Sequence, residues 1–398
     1  MTYDFTTMTD RIGKDSIAVT DIPVPGAQIQ EGFSRLPMWI ADMCFVGAPS
    51  IVEAMRNRLD TPAFGYFDPS QAYYDAILNW QKTRNGVTLN QEDIGYENGV
   101  LGGLLSALRA ICPQGGKVLV HSPTYIGFTF SLKRNGFDIV HTPLTQDEDG
   151  IWRMDFEDMD KKLKENHIHA AIFCSPHNPT GRVWERWELE QALEVYRRND
   201  CYVICDEIWS DLLLNGAKHI PMHSVSEDAA HRVISLYAPS KTFNLAGLIG
   251  SYHVIRDPWL RDQVNAQAAL SGYNSMNVLS MHALIGAYSD AGALWVDELD
   301  QVLSDNANYA YDFINAHFEG VKLSKPQGTY MLFLDCEGWV KAHNKTLDEL
   351  ERAGVAVGVV WQDGRMFHGP YAIRMNLALP TKYVKEAFDR LDKYVFNA

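Results

Sequence analysis

The chain has 398 residues, 46% of them hydrophobic and 11% aromatic: enough for one large domain plus a smaller one, and too apolar for a disordered chain. Its 35 Lys and Arg stand against 50 Asp and Glu, and the resulting formal charge of −15 repels nucleic acid and anionic membrane surfaces. No run of ~18 uninterrupted apolar residues suggests a membrane span, and the N-terminal stretch carries no apolar segment of signal-peptide length.

The six cysteines, Cys44, Cys112, Cys174, Cys201, Cys205 and Cys336, have neither metal-site nor redox spacing, so a reducing cytoplasm is the expected setting. In chain order, NGVLGGLLSALRAI (98–111) reads as a helix opened by a glycine-rich turn, whose first N–H groups suit a phosphate or simply follow a turn. KVLV (117–120) reads as a buried strand, followed by SPTYIGF, where Tyr125 can stack on a ring or sit in the core. AAIFC (170–174) is the next strand, and SPHNPTG after it offers Asn178 as a turn residue or an amide donor. An amphipathic helix over Trp187 to Arg198 leads to CYVIC (201–205) and to Asp206, a helix cap or a buried acid facing a ring nitrogen.

RVISLY (232–237) precedes APSKTFNLAGLIG, which sets Lys241 among small and apolar residues. Lysine is rarely buried unpaired, and desolvation makes its amine a nucleophile toward an aldehyde. From about residue 290 the pattern turns to longer helices and a few strands, TYMLFLD (329–335) and AIRMNLAL (372–379), the latter holding Arg374 in an apolar run. A buried arginine there suits a carboxylate, whether of a ligand or of a structural ion pair. Strands alternating with helices predict a mostly parallel sheet covered on both faces, with ligands at the C-terminal strand ends. His219, His223 and His231 read as scattered loop residues, no metal site is predicted, and GxSxG, HExxH and P-loop motifs are missing.

Asn178, Asp206, Lys241 and Arg374, in that order, with NPTG, CDE and PSKTFNLAGL, resemble the fold-type I enzymes of pyridoxal 5′-phosphate (PLP), the aspartate aminotransferase superfamily, over nearly the whole chain. PMWIADM, FGY, SPTYIGF, SPHNPTGRVW, APSKTFNLAGL and IRMNLALP are similar to its cystathionine β-lyase-like branch, carbon–sulfur lyases often grouped with class I/II aminotransferases. Many aminotransferases have a phosphate-gripping Arg eight residues after the Lys; here Ile249 stands there, as in the lyase branch.

The resemblance implies an α/β, PLP-dependent transferase-like fold. A large PLP-binding domain (48–290) with a mostly parallel seven-stranded sheet joins a smaller α+β domain (1–47 and 291–398). It implies Lys241 as Schiff-base lysine and general base, with Asp206 facing the pyridine nitrogen and Asn178 and Trp209 near the phenolic oxygen. Tyr125 stacks on the ring, and Val100, Leu101 and Ser240 hold the phosphate. Arg374, Asn178 and Ile40 bind the substrate. A homodimer is implied, in which Tyr66 reaches the phosphate of a second copy; Tyr66 and Tyr125 join Lys241 as catalytic residues.

Departures from the branch are Trp209 in place of a histidine or tyrosine, Cys44 in place of an acid beside the substrate entrance, His368 inserted near Arg374, and IAVTD where a Lys-Trp-Asp motif is usual. The expected activity is thiol elimination from an L-cysteine conjugate. The alternatives are a class I/II aminotransferase and a PLP-scaffold regulatory binding protein, the last disfavoured by an intact base.

Overall fold

Each apolar run read as a strand forms one in the computed structural model, which describes residues 1–270, 272 and 274–397. A two-residue strand, β1 (Leu36–Pro37), precedes the main sheet. That sheet comprises β2 (Ile94–Glu97), β3 (Lys117–Ser122), β4 (Asp138–Gln146), β5 (Trp152–Met154), β6 (Ala170–Cys174), β7 (Tyr202–Asp206), β8 (Val233–Tyr237) and β9 (Ser251–Val254), in the order β2-β9-β8-β7-β6-β3-β4-β5. β8, β7, β6, β3 and β4 are parallel neighbours, whereas β9 runs antiparallel to both β8 and β2. These are the seven strands expected, and the three-residue β5 adds an eighth, antiparallel to β4 at the edge.

The parallel strands are apolar because both of their faces are covered. In β6 and β8 all five residues are buried. Val118, Ala170, Ile172, Ile204 and Ile234 pack on one face with Leu104 and Leu108 of the helix Val100–Ile111 and Leu260 of the helix Pro258–Ala269. Leu119, Phe173, Val203 and Val233 pack on the other with Leu163 and with Leu189 of the helix Arg186–Arg198. Each fully buried Ile or Leu contributes about 1.5–3 kcal/mol. The helix Arg186–Arg198 starts on a capping box in which Glu185 and Glu188 bond each other's backbone N–H, matching the amphipathic stretch in the sequence.

Beyond residue 290 a 28-residue helix (Asp290–His317) leads to β10 (Met331–Asp335), β11 (Val359–Val360), β12 (Gln362–Asp363) and β13 (Ala372–Asn376). β10, β13 and β12 form an antiparallel sheet, and β11 pairs with β1, so the N-terminal segment joins the C-terminal part. One apolar cluster runs from Phe5 through Trp80, Phe243 and Trp295 to Phe396, bonding the two sheet systems across residue 290. Among the described residues no helix is long and apolar enough to cross a membrane.

Candidate active site

A cavity of about 590 Å³ opens where the C-terminal ends of β3, β6, β7 and β8 meet the small antiparallel sheet. Four neighbouring strands deliver one residue each to its wall: Tyr125 follows β3, Asn178 follows β6, Asp206 ends β7 and Lys241 follows β8. Arg374 comes from the other side, in the middle of β13.

Lys241 is partly buried in the cavity wall; its Nζ donates to the Ala41 carbonyl at 2.9 Å and lies 5.7 Å from the centre of the Trp209 ring. Burial and the nearby Arg374 push its amine down to about 8, while Asp42 and Asp206 act in the opposite direction. Asp206 is 3% exposed, and one carboxylate oxygen accepts the Ile208 N–H at 3.1 Å. Burial drives its carboxyl up to about 7, against the pull of that N–H and of Lys241.

Arg374 is 3% exposed and has no carboxylate within ion-pair distance among the described residues. Its Nη1 donates to Asn178 Oδ1 at 3.1 Å, its Nη2 to the Trp39 carbonyl and to Gln362 Oε1, and its Nε has no partner. The guanidinium lies 4.4 Å from the centre of the Phe367 ring. Burial lowers its proton affinity, to about 10. A guanidinium buried against carbonyls and a ring, with a donor unused, has the capacity to bond an incoming carboxylate.

The glycines here are structural necessities. Gly99 caps the helix Val100–Ile111 at φ +81°, so the first turn, with Val100 and Leu101, faces the cavity. A Cβ on Gly127 would lie 2.3 Å from Tyr125 Cε1, so only glycine leaves room for that ring. Ser240, Ile40 and Trp209 also line the cavity; Trp209 meets Tyr330 edge-to-face at 4.8 Å.

Tyr66 is outside the cavity of its own chain and fully exposed. Two expectations are corrected. Cys44 is not at the entrance: it is 1% exposed beneath the N-terminal segment, its sulfur taking an Arg11 N–H at 3.2 Å. His368 does not face Arg374; its ring meets His141 at 4.2 Å and Ser122 Oγ at 3.2 Å, and the preceding Phe367 covers the guanidinium. His231, read as a loop residue, stands in the helix Glu227–Arg232; His219, in the loop after β7, and His223, in the short turn Met222–Ser224, pack more closely than scattered loop residues would. Both are buried beside Glu207, whose carboxylate accepts from His219 Nε2 at 2.6 Å, Tyr237 hydroxyl at 2.5 Å, Ser235 hydroxyl at 2.7 Å and Met222 N–H at 3.2 Å. Gln362 and Phe367, which frame Arg374, gave no signal in the sequence, because the antiparallel pairing of β12 with β13 alone sets Gln362 opposite it.

These groups fit PLP. A desolvated amine is available for its aldehyde, a buried acid for its ring nitrogen, and the Asn178 amide nitrogen remains for its phenolic oxygen because Oδ1 serves Arg374. Ile249 borders the helix N-terminus, 3.9 Å from where a Gly99 Cβ would stand, so a phosphate there meets N–H groups and Ser240 rather than an arginine.

A family model described as aminotransferase class I and II matches residues 42–391. The chain is 37% identical over 335 residues to cystathionine beta-lyase PatB of Bacillus subtilis, covering 84% of this chain and 85% of that protein. It is 32% identical over 352 residues to protein MalY of Escherichia coli, covering 87% of each. The structure of the PLP-bound C-S lyase from Staphylococcus hominis superposes with a TM-score of 0.89 at 29% identity, covering 99% of each chain.

Proposed function

The chain belongs to the aminotransferase class I and II family, and within it we propose a PLP-dependent carbon–sulfur β-lyase that removes a thiol from an L-cysteine conjugate and leaves pyruvate and ammonia. The observation that carries this reading is the buried, carboxylate-free Arg374 in one cavity with Lys241 and Asp206. When bound, PLP supplies a protonated pyridine ring as an electron sink for the electrons of the substrate Cα–H bond.

The chain's own residues do the rest. Arg374, with Asn178 and Ile40 beside it, takes the substrate carboxylate, fixing which Cα bond faces the cofactor. Lys241 holds the cofactor until substrate arrives; its freed, neutral amine then removes the Cα proton. Asp206 keeps the ring nitrogen protonated, and the partner ion raises the tendency of that buried carboxyl to ionise. Lys241 or Tyr125 returns a proton to the departing sulfur. One water enters overall, and thiol, pyruvate and ammonia leave. Val100, Leu101 and Ser240 hold the phosphate, and Trp209 packs beside the lysine amine.

Ile249 favours the lyase over the aminotransferase reading, since it leaves the phosphate end without a cation among the cavity residues described. The exposed Phe64, Tyr66 and Phe67 support a homodimer in which Tyr66 completes the phosphate site of a second copy. Residues 48–290 are proposed as the PLP-binding domain and 1–47 with 291–398 as the smaller one. Six free, buried cysteines support a reducing, cytoplasmic setting. The test is the loaded enzyme with L-cystathionine and with S-alkyl cysteines. Stoichiometric pyruvate and thiol without a keto-acid acceptor supports elimination; turnover only when a 2-oxo acid is added makes it an aminotransferase.

A further inference from the structure

Residues 40–43 are tied to the Lys241 loop at two points. Ala41 receives the Lys241 amine at 2.9 Å, and Met43 exchanges two bonds with the Asn244 side chain, at 3.0 and 3.1 Å. Asn376 fastens the same stretch from β13, its amide donating to the carbonyls of Ile40 and Asp42, each at 2.6 Å. Asp42 therefore stands between two anchors of the loop that carries the lysine. Its Oδ2 is paired with Arg11 at 2.7 Å, and its Oδ1 is buried without a partner.

A buried carboxylate oxygen with nothing to accept is costly unless a charge nearby stabilises it. The charged and titratable groups around Lys241 are Arg374, Asp42 and Asp206. Those around Asp42 are Arg11, Lys241, the Cys44 thiol and the Tyr330 hydroxyl, itself buried and unpartnered. In the proposed reaction Asp206 serves the ring nitrogen, which leaves Asp42 as the carboxylate answering to the amine. It also favours the ammonium form of Lys241 more than Asp206 does.

We propose that Asp42 is a positioning residue that sets how tightly the Lys241 amine holds the proton it takes from the substrate, with Arg11 and Cys44 fixing the strength of its pull. When neutral Nζ accepts the Cα proton it becomes an ammonium, and Asp42 stabilises it until the proton passes to the departing sulfur. Arg11 bridges Asp42 and the Cys44 sulfur; burial pushes that thiol up to about 11, so it stays neutral and the guanidinium faces a single anion. An acid at position 44 would divide Arg11 between two carboxylates and so leave Asp42 less neutralised.

The inference rests on Lys241 being the base, but its test reads the amine rather than the products, so its failure is separable from failure of the lyase reading. The full chain, freed of cofactor, is pulse-acetylated across pH 6–10, and modification at Lys241 is followed by peptide mass. After reloading with PLP, the pH midpoint of the cofactor's absorbance change is measured on the same proteins. Asp42→Asn should lower both midpoints by about one unit, a tenfold weaker hold on the proton. The double variant R11Q/D42N, which leaves no unpaired arginine, should lower them in the same direction. Cys44→Asp should raise them, and Asp206→Asn should move the acetylation midpoint less than Asp42→Asn does. Unchanged midpoints in a natively folded Asp42→Asn or R11Q/D42N protein would overturn the proposal. If neither folds, Cys44→Asp decides: a midpoint that does not rise rejects it.

Discussion

Asp206 and Glu207 are consecutive, both fully buried, and their carboxyls are displaced in opposite directions. Glu207 has His219, Tyr237, Ser235 and the Met222 N–H around it, and these donors hold its carboxyl down to about 2. Asp206 has one N–H, from Ile208, and burial lifts it to about 7. Two buried arginines differ in the same way. Arg182, also 3% exposed, pairs with Glu188 and Glu185 and donates to the Trp152 and Val183 carbonyls. Arg374 has no acid at all among the described residues and keeps Nε unused. The Glu207 and Arg182 charges are thus met by protein groups, whereas Asp206 and Arg374, on one cavity, keep hydrogen-bonding capacity that a ligand can take up.

Lys241→Ala should separate the two regions most sharply. With the amine gone, pyruvate release from a cysteine conjugate should fall about a thousandfold or more, since general base catalysis alone contributes 10²–10⁴. The cofactor-free protein should melt at or above the wild-type temperature, because a desolvated, weakly paired amine has been removed. Turnover within tenfold of wild type would place the base elsewhere.

The arginines come next. Arg182→Met leaves Glu188 with the Glu185 N–H and with Arg153, 3.1 Å away, as its remaining cation among the described residues, and should cost about 3 kcal/mol in chemical denaturation. Arg374→Met should cost the cofactor-free fold little, yet lower kcat/KM about a hundredfold, mostly through KM, because the substrate carboxylate loses its partner. Equal destabilisation by the two variants would mean that Arg374 is a structural residue.

The strands that build the cavity were legible because parallel strands are buried on both sides, so AAIFC and RVISLY read as continuous apolar runs. Asn178, Asp206 and Lys241 were legible because each follows such a run and therefore falls on the same sheet edge. Arg374 stood out as a charge in an apolar strand. What could not be read was anything that depends on two distant segments meeting. Gln362 reaches Arg374 through strand pairing, and the segment around Asp42 reaches the lysine loop through Ala41 and through the bonds of Met43 to Asn244. The Glu207 cluster collects side chains from a loop and from β8 whose spacing follows no period. Cys44 and His368 were conspicuous as sequence departures, but oddity in a motif does not say which way a side chain points.

The paired acids also predict opposite pH behaviour in the cofactor-free chain. Asp206 is raised from its ordinary 3.8 to about 7, so its favourable protonated state is fully present below 3.8 and lost as pH rises through 7. Glu207 is lowered from 4.5 to about 2, so its contribution is present above 4.5 and lost as pH falls through 2. Asp206→Asn should therefore raise the melting temperature at pH 8 and change little at pH 4. Glu207→Gln should lower stability at pH 8 by about 2 kcal/mol, the loss of a buried charged acceptor, and the deficit should shrink only below pH 4. Thermal melts at pH 8, 4 and 3 test both signs; a stabilising Glu207→Gln at pH 8 would contradict the assignment of that cluster to structure.

The smallest effect is expected at His368. Its ring packs against His141 and Ser122, away from the guanidinium. Phe367, which does cover Arg374, is held by its own backbone, through the Thr124 N–H bond to the Phe367 carbonyl at 2.9 Å. His368→Ala should thus leave KM for the cysteine conjugate within about twofold between pH 6 and 9, since removing a partly exposed ring forfeits only a weak contact. A tenfold rise in KM would mean that the imidazole, rather than the backbone bond, keeps Phe367 over the arginine, and the working region would then extend through His368 to β3 and β4.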